Sequence, residues 1–509
     1  MTISGVSGRT TYLSSGLINI KNQLDLLSQQ LASGKKSTTY SGLGIDSATA
    51  TGLRAQLATL SSYADTDNLL NTRINLANLS LQGISDAGSQ VKQAATGATL
   101  TLDSTGQTPG QKTAQGSFTQ IVALLNSTAA GRYLFSGRAT DTPSTASADA
   151  IMNGTGAQAG LKQLISERAA ADDTSGLGRL QITAPSATSP TTVSINEDVA
   201  GSPFGLKLDS ISTNLSGATV TQPAAGTPPA GQEMSIDLGA TNPNEGEKVT
   251  FNFKLPDGTS EQIELTATTT NPPPAGSFLI GATSDVTATN LSGALNTAVG
   301  KLANTALVAA SAMTASDNFF NSNPPQRVDT SSNPPVALRN GTPADTVSWY
   351  TGEVATGPND TARGTAAIGV DSSISVQYGA RANEDAFITQ LKNVAVYAAV
   401  TTDANNPNAN DQLTALNSRI ITNLSDHPGQ QSIENIQSDF ANAQVTVKNA
   451  QDRQKQVGAT AQSMLDSIQG INDDEVAAKI MALQTSLQAS YQTTSQLYQM
   501  SLLKFLPPP

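Results

Sequence analysis

Residues 433–471 read IENIQSDFANAQVTVKNAQDRQKQVGATAQSMLDSIQGI, and apolar or small residues recur in them mostly three or four positions apart. The pattern resumes after the polar break at residues 472–474 and continues to residue 506. This spacing is typical of a heptad seam, the apolar stripe along which helices pack in a coiled coil. The predicted seam consists of Ile433, Ile436, Phe440, Ala443, Val447, Ala450, Val457, Ala461, Met464, Ile468, Val476, Ile480, Leu483, Leu487, Leu497, Leu502, Leu503, Phe505 and Leu506.

The N-terminal end of the chain carries a matching seam. A first helix is predicted from about Thr11 to Leu31, with Gly34 as its C-cap. Because one helix cannot bury such a stripe alone, each terminal helix needs a partner of similar length. The two seams together predict a base of long antiparallel coiled-coil helices, from which the middle of the chain is looped out. The N-terminal seam consists of Leu13, Leu17, Ile20, Leu24, Leu27 and Leu31.

Between the two seams the pattern alternates between helical and strand-like stretches. A helix from Ser47 to about Gly97 would be roughly 75 Å long. Residues 249–255 and 263–267 alternate around the turn Pro256-Asp257-Gly258, which predicts a β-hairpin. The other predicted elements are a helix ending near Leu125, a strand over 132–137, a helix over 160–171, a helix from Val286 to Leu302, a polar connection over 317–341, strands at 347–350 and 374–378, and helices over 381–400 and 410–424.

The predicted fold class is α+β: mainly α at the base, with inserted β-rich outer domains on an elongated, multi-domain chain. A length of 509 residues suffices for three or four domains. The predicted divisions are the N-terminal heptad helix and loop at 1–46, half of a helical rod domain at 47–141, an outer β-rich region at 142–380 with an insert at about 192–307, the returning rod helices at 381–430, and the C-terminal coiled-coil helices at 431–509.

Composition and charge exclude several classes of function. The net charge is −12 and no long basic stretch exists, which argues against nucleic-acid binding. Cysteine is absent, so disulfides and thiolate metal sites are impossible. No run of apolar residues is long enough to span a membrane, and the N-terminus lacks the pattern of a cleaved signal peptide.

Several short motifs, taken in order, resemble those of the bacterial flagellin family. They are residues 30–35 (QLASGK) after the first heptads, the long second helix, residues 131–137 (GRYLFSG) after the third helix, and residues 501–506 (SLLKFL) at the end. The match covers about residues 1–141 and 381–506. The last two motifs are closer to the hook-filament junction proteins, of the hook-associated protein 3 type, than to filament flagellin.

The resemblance implies an extracellular structural protein of the flagellum that serves motility. Such a subunit is exported unfolded through the flagellar type III route, without a cleaved signal peptide. Its implied partners are further copies of itself, other axial proteins such as hook-associated proteins and flagellin, and an export chaperone at the C-terminal helix. Residues 85–92 (SDAGSQVK) lack the Arg-rich signature of filament flagellins, so recognition by host innate receptors is not implied.

An enzyme would have few residues with which to work. His427 is the only histidine, which excludes Cys/His catalysis and multi-histidine zinc sites. The acids at 473–475 are more simply explained as a helix N-terminus than as a cation site. We therefore predict no catalytic, cofactor or metal site. Three alternatives stay open: a filament flagellin, which the length and large insert would suit equally well, a glycan-binding adhesin that uses the insert at 192–307, and a polysaccharide-active enzyme with paired carboxylates. Trp349 is either a platform for carbohydrate stacking or, more simply, the anchor of a small core.

Overall fold

The chain folds as a mixture of α-helices and small β-sheets, and a computed structural model describes residues 4–97, 99–226 and 229–503. About half of the chain is helical. The helices are α1 Ser4–Ser33, α2 Ser47–Thr96, α3 Pro109–Leu125, α4 Ala148–Asn153, α5 Leu161–Asp172, α6 Ser284–Ala303, α7 Ala306–Phe320, α8 Asp385–Ala399, α9 Ala409–Asn423, α10 Ile433–Gln469 and α11 Asp473–Leu503.

Most strands lie in the middle of the chain. They are β1 Thr128–Ala129, β2 Arg132–Tyr133, β3 Leu180–Thr183, β4 Thr192–Glu197, β5 Lys207–Thr213, β6 Thr219–Ala225, β7 Gln232–Asp237, β8 Lys248–Lys254, β9 Ser260–Thr268, β10 Ser277–Leu279, β11 Gln326–Val328, β12 Leu338–Asn340, β13 Ala367–Gly369 and β14 Ser375–Gln377. The mixed α+β class predicted from the sequence is therefore confirmed.

The helices predicted from apolar periodicity are present, with small differences at their ends. α2 covers the predicted long helix, and α3 begins with a capping box in which Thr108 and Gln111 bond each other's backbone amides. α5, α8 and α9 also agree with the prediction. α1 is longer than expected, because it begins at Ser4 rather than near Thr11.

The structure divides into two compact units. The first contains the residues up to Asn71, the short segment Gly369–Val376 and the residues from Gln444 onward. The second contains Thr72–Ile368 and Gln377–Ala443. The described residues of the first unit are mainly helical, whereas the second unit holds the main sheets.

Two four-stranded sheets form the β-rich part of the second unit. Their strand orders are β3-β4-β7-β6 and β10-β9-β8-β5, and all pairs are antiparallel except β10 with β9. Both sheets and α6 contribute to one apolar core. The β-structure begins with β3, before residue 192, because β3 pairs with β4 along its whole length.

The predicted hairpin is confirmed in its register. Phe251 of β8 lies opposite Ile263 of β9, and both face the core. The turn closes through a bond from the Leu255 amide to the Thr259 carbonyl at 2.8 Å. Gly258 takes φ +81° there, a backbone conformation that favours glycine over residues with a Cβ.

Some local predictions were wrong. Residues 317–341 were expected to form a polar connection, but the first of them belong to the last turn of α7. This alanine-rich helix is buried on nearly all sides, so no single apolar stripe marks it in the sequence. Only β2 forms a strand within 132–137, and residues 346 and 350 make single bridges instead of a strand. Val286 is 43% exposed, although the other predicted core residues of α6 are buried.

Trp349 is a core residue. It is 2% exposed, and its indole N–H donates to the Phe320 carbonyl at 3.0 Å. Its ring lies 5.3 Å from the Phe320 ring, centroid to centroid. A carbohydrate cannot stack on a buried ring, so the structural interpretation of this residue is supported and the platform interpretation is not.

A buried ion pair within α5 anchors the loop between β4 and β5. Arg168 Nε lies 2.7 Å from Asp172 Oδ2, and both side chains are at most 3% exposed. The same guanidinium donates to the Pro203 carbonyl and stacks on Phe204, while Asp172 Oδ1 accepts from the Gly205 amide. The two charges are each other's ion-pair partners, and their remaining hydrogen bonds are made to nearby backbone groups. Removing one charge would therefore leave the other buried and unpaired.

We predict that Asp172→Ala lowers the free energy of unfolding by about 3–5 kcal/mol, because the Arg168 charge would lose its buried counter-charge. Urea unfolding followed by Trp349 fluorescence measures this loss. Glu264→Ala is the matched control: its pair with Lys248 is half exposed, so it should cost about 1 kcal/mol or less. Equal losses for the two variants would contradict the prediction.

Candidate assembly surfaces

The predicted N-terminal seam corresponds to the less exposed stripe of α1. Leu13, Leu17, Ile20, Leu24 and Leu27 are each half-buried, whereas nearly all of their neighbours on the helix are exposed. Leu31, the last residue of the seam, is 41% exposed. Among the α1 side chains that the structure describes, none is fully buried.

α11 covers this stripe from one side. The two helices contact each other, and the residues that follow α1 bond to the end of α10 and to the residues just before α11. The Ile471 amide donates to the Gly34 carbonyl at 3.3 Å, and the Lys36 amide donates to the Gln469 carbonyl at 2.7 Å. Gly34 has φ +67°, as expected for a helix C-cap. The two helices therefore run antiparallel, while heptad packing between them stays a prediction.

The α11 seam shows the same partial coverage. Val476 is buried, and Ile480, Leu483 and Leu487 are half-buried at the predicted spacing. Leu497, Leu502 and Leu503 belong to the helix, but the structure does not describe their side chains. Phe505 and Leu506 lie outside the described residues.

The α10 seam follows the prediction only in part. Ile433, Ile436, Phe440 and Val447 are buried, and Ile468 is half-buried. Val457 and Met464, however, are 40% and 48% exposed.

Gln454 and Leu465 occupy the buried face of α10 instead. Gln454 was not predicted to be buried, because it is polar. Its Nε2 donates to the Val370 carbonyl at 2.7 Å, and a hydrogen-bonded polar side chain can be buried. Position 454 is the one that the predicted seam skips, and beyond it the less exposed positions are Gly458 and Leu465 rather than Val457 and Met464.

The first unit has a small core beside these helices. Ala50 and Leu53 of α2 pack with Ala461 and Leu465 of α10. Nearby, Arg54 donates to the Tyr40 hydroxyl at 2.8 Å and to Gln469 Oε1 at 3.0 Å. Few side chains are fully buried in this part of the chain, so much of its apolar surface is left in contact with water.

Several large apolar side chains of this unit lie exposed outside the seams, and the periodicity argument missed them. A heptad template scores only one face of a helix, so residues on the other faces carry no signal. The most exposed are Tyr12 at 84%, Ile18 at 59%, Leu26 at 56%, Ile45 at 95%, Val445 at 58%, Met481 at 66% and Tyr491 at 58%.

In the second unit, the residues of the YLFSG motif hold two distant parts of the chain together. The Gly137 amide donates to the Ala380 carbonyl at 3.0 Å, and the Ala382 amide donates to the Phe135 carbonyl at 2.8 Å. Phe135 is fully buried, with its ring edge-on to Phe387 at 5.5 Å. A Cβ at Gly137 would lie 2.7 Å from Glu353 Oε2, so the glycine permits this close approach. We call residues 135–138 and 380–382 the neck.

Four charged side chains interact at the neck, two arginines that belong to it and two acids beside it. Arg138 pairs with Glu353 and with Asp360, the latter at 3.0 Å. Arg381 is 4% exposed and lies 2.9 Å from Asp360 Oδ1. The Thr356 amide and the two guanidinium groups hold the pKa of Asp360 well below its ordinary value. Burial alone would raise the pKa of Glu353, but its bonds to Arg138 and the nearby positive charges lower it.

The structure describes the surroundings of His427 and of the acids at 473–475, the residues that the sequence offered for chemistry. His427 is exposed and borders a polar cavity of about 320 Å³, in which Lys392 already pairs with Asp317 at 2.7 Å. The acids at 473–475 lie in the first turn of α11, with Asn472 Oδ1 accepting from two of their amides. Within 4–97, 99–226 and 229–503, no group of three or more His, Asp or Glu side chains could hold a metal ion.

The described residues contain no helix that is both long enough and apolar enough to cross a membrane. Compared with known proteins, the chain matches no protein-family model and no curated protein.

Asp360→Asn should destabilise the second unit at neutral pH and have less effect in acid. The folded pKa of Asp360 is lowered, so its contribution is present above its unfolded pKa of about 4 and is lost as the pH falls through the folded value. Thermal unfolding followed by Trp349 fluorescence, at pH 7 and near pH 2, measures the difference. Asp141→Asn, an exposed change beside the neck, is the control. A gap between Asp360→Asn and wild type that is the same at both pH values would contradict the assignment.

Proposed function

We propose that this chain is a structural axial subunit of the bacterial flagellum that assembles through its terminal helices at the junction between hook and filament. The observation that carries the proposal is the half-coverage of the seams on α1 and α11. Positions spaced three and four apart are the less exposed ones on both helices, yet most of them keep part of their surface in water. Such helices gain stability when neighbouring subunits complete their burial.

The energy available from this burial is substantial. Full burial of a leucine or isoleucine contributes about 1.5–3 kcal/mol, so completing a half-buried side chain contributes roughly 1 kcal/mol. Leu13, Leu17, Ile20 and Leu24 would each add such a term on α1, and Ile480, Leu483 and Leu487 on α11. In this proposal the two helices form a coiled coil that becomes fully ordered only in the assembly.

The exposed side chains outside the seam add a second contact surface. Tyr12, Ile18 and Leu26 project from faces of α1 other than the seam. A helix that is apolar on more than one side is suited to packing between several neighbours. A surface of this kind supports a closed or stacked arrangement of copies over a simple dimer.

The choice of the junction over the filament rests on the short motifs. The residues of YLFSG hold the neck, and the SLLKFL ending resembles junction proteins. Filament flagellin is the alternative, which the chain length and large insert would fit equally well. In either case we propose an extracellular, non-enzymatic protein, exported through the flagellar type III route with a chaperone on its C-terminal helix.

A glycan-binding adhesin is a more distant alternative. Burial of Trp349 removes the aromatic platform on which that interpretation partly relied. It would now depend on the β-rich insert alone and predicts glycan binding by the full chain that is lost when the insert is removed.

The location of the protein tests the proposal. Immunogold labelling with an antibody against residues 192–307 should mark a narrow band where hook meets filament. Label along the whole filament would make the protein a flagellin, and no label on any appendage would overturn both flagellar assignments.

Leu24→Asp is predicted to prevent assembly, because a carboxylate would be buried unpaired in each interface at a cost of several kcal/mol. Gln23→Asp is the matched control, since it adds the same charge at the adjacent exposed position. Sedimentation of purified protein under assembly conditions compares the two variants. Assembly of Leu24→Asp at the wild-type level would count against a role for the seam.

A further inference from the structure

Ile45 is the most exposed large apolar side chain in the described part of the protein, at 95%. It lies in the short 3-10 helix Tyr40–Asp46, which connects α1 to α2. Gly44, directly before it, has φ +60° and ψ −126° and breaks the helical path. Leu43, on one side of this break, packs against the small core of the first unit, whereas Ile45, on the other side, projects into water.

The segment that carries Ile45 is held in place by contacts within a single copy. Arg54 donates to the Tyr40 hydroxyl at 2.8 Å, and its guanidinium carbon lies 5.1 Å from the centre of the Tyr40 ring. The Ser47 amide donates to the Gly44 carbonyl where α2 begins. Because the segment is already ordered, burying Ile45 against a partner would cost little conformational entropy.

The second unit contains a mainly apolar cavity of about 40 Å³ at the neck. Its wall includes Ile74 and Ala77 of α2, Leu134 and Gly137 of the GRYLFSG motif, and Phe440 of α10. On this measure one water needs about 10–15 Å³, so the cavity has room for roughly three waters. That space is about what the end of one aliphatic side chain would fill.

Opposite charges accompany the exposed side chain and the cavity. Asp46 follows Ile45 directly and is exposed, and Arg132, which lines the cavity, is exposed as well. Within the described residues, neither of these two charges has a salt-bridge partner. Arg73 also lines the cavity; it donates to the Tyr378 hydroxyl at 3.2 Å, and its buried Nε has no acceptor. An acidic side chain would therefore complement the cavity's charge.

We propose that Ile45 of one copy of this chain inserts into the cavity at the neck of a second copy, where Asp46 pairs with Arg132. The inference rests on the assembly proposed above and adds the contact by which one copy engages the next. A second copy is the partner that size and charge favour, because the chain itself carries both the apolar side chain with its acid and the cavity with its arginines.

The proposed contact joins two different surfaces, so it is head-to-tail rather than two-fold symmetric. Each added copy offers a further free Ile45 and a further free cavity. Contacts of this type repeat into a closed ring or a helical array, depending on the rotation between copies. Both arrangements suit an axial subunit, whereas a simple dimer would leave one Ile45 and one cavity unused.

Cross-linking of the full chain tests the contact, and the absence of native cysteine makes it specific. Copies with Ile45→Cys are mixed with isotopically labelled copies that carry Thr140→Cys, a half-buried position in the cavity wall, and are assembled and oxidised. Mixed dimers, recognised by mass, should form at least about tenfold faster than in the control. The control pairs Ile45→Cys with Val286→Cys, a partly exposed position on α6.

The possible results separate this contact from the proposed function. Assembly without the Ile45–Thr140 cross-link would overturn the contact and leave the function standing. Wild type that does not assemble would overturn the function and the contact together.

Charge exchange tests the pairing while leaving the apolar wall unchanged. Asp46→Arg and Arg132→Asp should each raise the protein concentration needed for assembly at least about tenfold, because like charges would meet across the contact. The double variant should assemble within about twofold of wild type. Asp65→Arg, the same change at an exposed position of α2, is the control and should assemble as wild type does. Single variants that assemble at the wild-type level, or a double variant no better than either single one, would contradict the proposal.

Discussion

Two helices that pack along one face leave their other faces in water, and this limit shapes the first unit of the protein. α1 and α11 come from opposite ends of the chain, run antiparallel and shield each other's seams only partly. The core beside them is small, and large side chains such as Tyr12 and Ile45 are almost fully exposed to solvent. Most of the stability that the terminal sequences could supply is therefore not realised in a single copy. That is the physical reason for proposing a subunit of an assembly.

The second unit has the opposite balance. Its sheets, α6 and α7 bury a continuous apolar core, and the neck brings residues 135–138 and 380–382 together with backbone bonds and four charges. The closed neck brings together the two ends of a long stretch of chain, most of which, apart from residues 369–376, belongs to the second unit. The second unit therefore buries most of its apolar core within one copy, whereas the terminal helices are proposed to bury theirs against neighbouring copies.

The sequence was most informative where one face of an element is apolar. The α1 and α11 seams, α2 and the β8–β9 hairpin all follow from residue spacing. The sequence was less informative where an element is buried on all sides, or where the buried side chain is polar. α7 is an alanine-rich helix that is buried on nearly all sides. Gln454 can be buried because its amide donates a hydrogen bond to the Val370 carbonyl, which no spacing pattern reveals. The neck is formed by contacts between residues more than 200 positions apart. The GRYLFSG motif could therefore be recognised in the sequence, but its structural role could not be predicted.

Hydrogen exchange of the terminal helices, measured on monomer and on assembled protein, tests the central claim most directly. If neighbours complete the seams, amides over residues 11–31 and 476–494 exchange rapidly in the monomer and become strongly protected on assembly. Amides of the β-rich core should be equally protected in both states, which provides the internal control. Terminal helices that are fully protected in the monomer, or that gain nothing on assembly, would contradict the account.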